Sequence, residues 1–444
     1  MSTILIKGAQ IVTMNGNEDV FVGDLLIEDN KIKEIGVDIQ VLADRVIDGT
    51  GKALLPGFIQ THIHLCQTLF RGRADDLELM DWLRQRIWPL EAAHDEESVF
   101  YSALLGLGEL ISSGTTTILD METVHYTDSA FRAMAQSGMR VVSGKVMMDH
   151  GDEVPLPLQE TTTDSIQQSV DLLEKWNGYG GGRIQYAFCP RFVVSCTEQL
   201  LTEVRDLSAQ YNVKIHTHAS ENRGEIELVE SERGMRNVVY LDHIGLATPR
   251  LILAHCVWLS EEEKEIIRLR GVKVTHCPGS NMKLSSGIAE IPDLLSRKIH
   301  VGIGADGAPC NNNLDMFQEM RMTALMHKIP HGPTAMDART VLRMATMGGA
   351  EVLGMEKEIG SLELGKKADV ILLDLNDFHT YPSYEVDIYS RVVYSATRSN
   401  VDTVIIDGEL VIEGRTMRTI DRSIVLREAD RSIARLVSRI QEIS

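Results

Sequence analysis

His62 and His64, two residues apart, close an apolar run early in the chain. In an extended strand, residues i and i+2 point to the same face, so both imidazoles can converge on one point. His218, His255 and Asp306 close later apolar runs. Imidazole nitrogens and a carboxylate oxygen suit zinc or another divalent transition metal. An isolated His-x-His pair is more often incidental than metal-binding, and His255 or Asp306 alone reads as a satisfied buried polar group. The five together make a metal site only if the fold brings those strand ends to one place.

The rest of the chain supplies such a fold. Apolar strand segments run over 54–64, 115–121, 140–149, 183–189, 213–218, 251–257, 272–277 and 300–306. Helix-like segments at 94–111, 129–136, 163–176, 197–210, 260–270 and 313–327 fill most gaps, with Thr197 and Ser260 as N-caps. Ser260 followed by Glu263 has the capping-box form. Eight strands alternating with helices over about 250 residues predict an α/β fold, a (β/α)₈ barrel. A doubly wound open sheet would need an early glycine-rich phosphate turn, which Gly72 and Gly106–Gly108 do not supply. Short strands at 4–6, 9–13, 20–27 and 31–35 have counterparts at 369–373, 401–406 and 409–412. Neither set alone makes a stable sheet, so the two predict one small β-sandwich domain built from both termini. The expected division is 1–56 with 361–444 for that domain and 57–360 for the barrel, with a final helix over 422–443. In a barrel the active site forms at the C-terminal strand ends, where His62, His64, His218, His255 and Asp306 all fall.

Composition narrows the partners. The 444 residues are 43% hydrophobic and 24% charged, ample for packed cores. Forty-four basic residues against 64 acidic ones give a net charge of −20, which repels phosphate backbones and anionic lipid. Nucleic-acid polymers and membranes are therefore poor partners, and a small neutral or cationic substrate with water suits the chain better. A homo-oligomer is compatible with it. Six cysteines without a Cys-x-x-Cys pair do not form a disulfide framework. With no signal-peptide pattern at the start and no apolar run of ~18 residues, the expected location is cytoplasmic.

The segment Pro56-Gly57-Phe58-Ile59-Gln60-Thr61-His62-Ile63-His64 resembles the signature of the amidohydrolase superfamily. So do His218-Ala219-Ser220-Glu221, His255-Cys256, Thr275-His276-Cys277-Pro278-Gly279-Ser280-Asn281 and Gly304-Ala305-Asp306-Gly307. The segment from Gly360 to Asp369 looks like that superfamily's return into its terminal β domain. The resemblance implies that His62, His64, His218 and Asp306 hold one divalent transition-metal ion per chain, zinc before iron. It implies that His255 positions the attacking water, that Glu221 shuttles the proton, and that Asp306 passes a proton to the leaving group. Binuclear members use a lysine at the end of the fourth strand, and the segment 183–189 has none. His276 reads as structural, and His216 as too deep in the barrel to be a ligand.

His-x-x-Glu at 218–221 looks like the deaminase branch. The stretch from Gln67 to Leu83 and Gly307 to Asp315 resemble methylthioadenosine, S-adenosylhomocysteine and 5′-deoxyadenosine deaminases. That likeness implies hydrolytic deamination of an adenosine-type nucleoside, with Glu91 on the ribose hydroxyls and Glu221 and Asp306 at the reacting ring. Pro190-Arg191-Phe192, Gln67, 144–149 and 220–223 look like guanine deaminase instead, so Gln67, Arg191 and Phe192 complete the expected substrate contacts. The alternatives are guanine deaminase, then an s-triazine aminohydrolase, then a non-catalytic barrel relative, which should have lost ligands.

Overall fold

The computed structural model describes residues 2–151 and 154–443. Phe58–His64, Thr115–Met121, Arg140–Gly144, Ile184–Pro190, Lys214–Ala219, Leu251–His255, Lys273–His276 and Val301–Ile303 pair in parallel, each with the next. The eighth returns to the first, with Ile303 opposite Gln60, and closes the barrel. A two-residue extension sets Asp306 beside Ile63 and Gly307 beside His64, which brings Asp306 to the end of the first strand.

The expected segment 54–64 is two strands, not one. Lys52–Pro56 belongs to the sheet made by the chain ends and Phe58–His64 to the barrel. The break falls at Gly57, where a Cβ would lie 2.1 Å from the Thr116 hydroxyl, so only glycine lets the first two barrel strands approach. The expected segment 140–149 likewise stops at Gly144, where a Cβ would lie 1.8 Å from the Ala187 carbonyl oxygen, and resumes as Val146–Met147.

Helices between the strands begin where their caps dictate. Thr197 accepts from Leu200 N, and Ser260 with Glu263 forms a reciprocal capping box. Arg223–Arg233, capped by Asn222, was not expected from the pattern: it is mostly charged and buries only Glu225, Ile226 and Val229.

The two chain ends build a continuous nine-stranded sheet. Thr3–Val12 is a single strand with a bulge between Ile6 and Ala9, where Gly8 has φ +69°, rather than two strands. The seam is Lys52–Pro56 running antiparallel to Val370–Asp374. The last helix, Arg422–Ile443, packs on the barrel helix Glu96–Ser112. No helix among the described residues is long and apolar enough to cross a membrane.

Sheet and barrel are joined by a buried ion pair. Arg140, at the foot of the third barrel strand, donates to both Asp369 oxygens at 2.5 and 3.0 Å and to Asp407 Oδ1 at 2.9 Å. Removing one partner of a buried pair leaves an uncompensated charge, at a cost of about 3–5 kcal/mol. Arg140→Ala is therefore expected to lower the urea midpoint markedly. Asp369→Asn with Arg140→Met, which removes charge from both sides, should recover part of the loss.

Candidate active site

Strand ends place the ligand candidates. Three imidazoles share one arrangement: Nδ1 is engaged from behind and Nε2 faces a common centre. His64 Nδ1 lies 2.8 Å from the Met121 carbonyl and His218 Nδ1 lies 2.7 Å from the Arg191 carbonyl. A carbonyl only accepts, so both Nδ1 atoms carry the hydrogen. His216 Nδ1 faces the Ile252 carbonyl at 3.1 Å, and His62 Nδ1 meets His216 Nε2 at 2.7 Å. Burial pushes all four imidazoles below the usual histidine range, His64 to about 3, so they are neutral. It follows that His62, His64 and His218 each present an Nε2 lone pair to the centre.

Those lone pairs have no hydrogen to share. His64 Nε2 and His218 Nε2 stand 3.2 Å apart, and Asp306 Oδ1 lies 3.2 Å from His62 Nε2 and 3.3 Å from His64 Nε2. His62 Nε2 is buried without a hydrogen-bond partner. Facing lone pairs and a carboxylate repel one another in a buried site unless a cation sits between them. Nitrogen-rich donors fixed by groups behind them fit a zinc-type ion. His216, set aside in the sequence because of its depth, is the group that orients His62.

His255 and Glu221 stand beside this cluster. His255 Nδ1 donates to Asn281 Oδ1 at 2.9 Å, which turns Nε2 towards Glu221 Oε2 at 3.5 Å and Asp306 Oδ2 at 3.8 Å. Burial lowers the His255 pKa, but the two carboxylates outweigh it and leave the pKa raised. Burial lifts the Glu221 carboxyl to about 7, and Ser286 Oγ donates to its Oε1 at 3.4 Å. Ser280 Oγ donates to Asp306 Oδ2 at 2.6 Å. Ser280 and Asn281 thus hold Asp306 and His255 from one short helix, Pro278–Lys283. His255 and Asp306 have φ of +70° and +64°, strained for side-chain-bearing residues and of order 1–3 kcal/mol each.

The cavity over these groups is about 30 Å³ and is lined by Gln67, Arg191, Phe192 and Glu221. Leu79, Met80, Trp82 and Leu83 roof it. Glu91 does not line it but stands behind two residues that do. Arg191 reaches its two oxygens at 2.6 and 3.2 Å, and Gln67 Nε2 donates to Oε1 at 2.8 Å. Gln67 Oε1 is left buried and unpartnered. Phe192 packs edge-on to His218, ring centres 6.1 Å apart. His276 is fully buried against His327 and outside the cluster. The six cysteines are buried and free.

The arrangement has counterparts among known proteins. The amidohydrolase family model matches residues 53–411. A 5′-deoxyadenosine deaminase of Methanobrevibacter smithii is 45% identical over 437 residues, 98% of each chain. A 5-methylthioadenosine/S-adenosylhomocysteine deaminase of Syntrophomonas wolfei is 42% identical over 441 residues, 98% of this chain and all of the other. Among solved structures, an adenosine deaminase of Xanthomonas campestris with bound zinc superposes with a TM-score of 0.92 at 32% identity. It covers 98% of this chain and 99% of that one.

Proposed function

The chain belongs to the amidohydrolase family, and on that premise we propose that it hydrolytically deaminates an adenosine-type nucleoside. The favoured substrates are 5′-deoxyadenosine, 5′-methylthioadenosine and S-adenosylhomocysteine, each giving its inosine analogue and ammonia. The observation that carries this reading is the buried Glu221 carboxyl beside three imidazoles that each present a lone pair. The names and full-length identity of the relatives support it.

His62, His64, His218 and Asp306 would hold a divalent ion, zinc by the chemistry of these donors, and it would supply the Lewis acidity that brings a water's pKa towards neutrality. The chain's own groups do the rest. Glu221, whose carboxyl burial lifts to about 7, can carry a proton near neutral pH and delivers it to the ring nitrogen beside the amino-bearing carbon, which offsets the loss of aromaticity. It regains a proton from the attacking water. His255, fixed by Asn281, orients that water and the developing tetrahedral centre. Asp306 carries the water's second proton to the amine, so the carbon–nitrogen bond breaks as ammonia leaves. Each proton from water is then accounted for.

In this reading Glu91, fixed by Arg191 and Gln67 just behind the cavity wall, serves the vicinal ribose hydroxyls. Both Arg191 Nη atoms engage Glu91, which favours a nucleoside over free guanine as the partner of this pair. Ammonia release should be fast with 5′-deoxyadenosine and methylthioadenosine and slow with guanine; preference for guanine would overturn the assignment. Glu91→Gln should cut kcat/KM for adenosine by about 1–3 kcal/mol yet leave 2′,3′-dideoxyadenosine unaffected. Equal losses for both would mean that Glu91 acts through structure alone.

A further inference from the structure

A cavity of about 540 Å³ opens between the barrel helix Glu96–Ser112, the C-terminal strands of the sheet and the last helix. That size lies within the ~300–1,000 Å³ of small-molecule sites. Leu104, Leu105, Val401, Ile412 and Val425 give it apolar walls. Four arginines, Arg71, Arg398, Arg415 and Arg422, line it against a single acid, Glu109. In a chain of net charge −20 this is a local reversal of sign.

Two of the four arginines already have partners. Arg71 pairs with Glu109, and Arg415 with Asp374 at 3.3 Å. Among the described residues, the side chains of Arg398 and Arg422 make no hydrogen bond or ion pair. The charge of Arg398 does reach the buried Asp315 carboxyl, where it opposes the rise in pKa that burial imposes, but neither guanidinium is held in a direct ion pair. Guanidinium groups free of direct ion pairs, set beside an apolar wall, complement an anion carried on an apolar body. Gly108 adds room on the same wall, since a Cβ there would meet nothing within 4 Å.

We propose that this cavity is a second ligand site, for a small organic anion with a phosphate or carboxylate on an apolar body. The anionic group lies at Arg398 and Arg422, and the body lies against Leu105 and Ile412. The site is separate from the metal cluster and does not depend on the deaminase reading.

Calorimetric titration of the metal-loaded, full-length protein tests it with octyl phosphate, octanoate, octanol and inorganic phosphate. An octyl anion should bind about tenfold or more tightly than either octanol or inorganic phosphate, because charge and apolar body both contribute. Which octyl anion binds more tightly identifies the headgroup. Arg398→Glu with Arg422→Glu should weaken that binding by about tenfold or more while ammonia release is retained. Gly108→Leu, which fills the cavity from a helical position without backbone strain, should also block it. Binding that survives both sets of changes lies elsewhere, for instance at the metal, and overturns the proposal. So does failure of both octyl anions to bind. A dimer in sedimentation that the double arginine variant converts to monomer would show a second copy covering the cavity, and would overturn it too.

Discussion

His64→Ala is expected to empty the metal site and abolish turnover while the barrel stays folded. The reason lies in the geometry of the nitrogens. His64 Nε2 stands between two other donors, 3.2 Å from His218 Nε2 and 3.3 Å from Asp306 Oδ1. Removing it takes away one of the four donors and the one that stands next to both His218 and Asp306, so the remaining two imidazoles and carboxylate lose the set that closes around the ion. Elemental analysis should fall from close to one ion per chain to background, with ammonia release lost in parallel. His216→Phe provides a graded comparison. It removes the acceptor behind His62 Nδ1 and touches no ligand atom, so affinity for the ion should drop by about 10–100-fold rather than vanish. Two tightly held ions per chain, or full activity in strong chelator with no metal present, would refute the single-ion arrangement.

Glu221→Gln should leave the ion in place and still lower kcat by about 10²–10⁴-fold, the range for losing a positioned acid–base group. Glu221 meets His255 at 3.5 Å and Ser286 at 3.4 Å, and neither is among the three imidazoles that face the ion's position. Glutamine preserves the size and the contact with Ser286 but cannot pass a proton through its amide. The split between retained metal and lost rate separates a proton shuttle from a ligand. An unchanged rate, or an ion lost with the carboxylate, would remove Glu221 from the chemistry.

The barrel and the histidines gathered at its strand ends were legible in the sequence because both rest on local signals. Apolar runs mark the strands, Thr197 and Ser260 mark helix starts, and His-x-His at a strand end fixes two side chains on one face. Contacts between distant segments were not legible. The break at Gly57 depends on Thr116 of the neighbouring strand, and Glu91's burial depends on Arg191, a hundred residues away. His216 had a readable signal: it stands two residues before His218 and so shares its face. Depth argued against it as a ligand, and the same depth makes it the support for His62. Asn281 and Ser280 stand in a readable motif, but their partners His255 and Asp306 emerge only once the strands are side by side.

The seam between Lys52–Pro56 and Val370–Asp374 also sets a timetable for synthesis. At about 5–20 residues per second, the ribosome makes the first of these strands on the order of 15–60 s before the second. Throughout that wait the edge at Ala53, Leu54 and Leu55 has Thr3–Val12 on one side and no neighbour on the other. An unpaired apolar edge is a template for another chain. A nascent chain that stalls, or a gene cut before residue 370, leaves that edge open for good. Such a product would carry every candidate metal ligand, yet its open edge makes it the form expected to nucleate on its own copies.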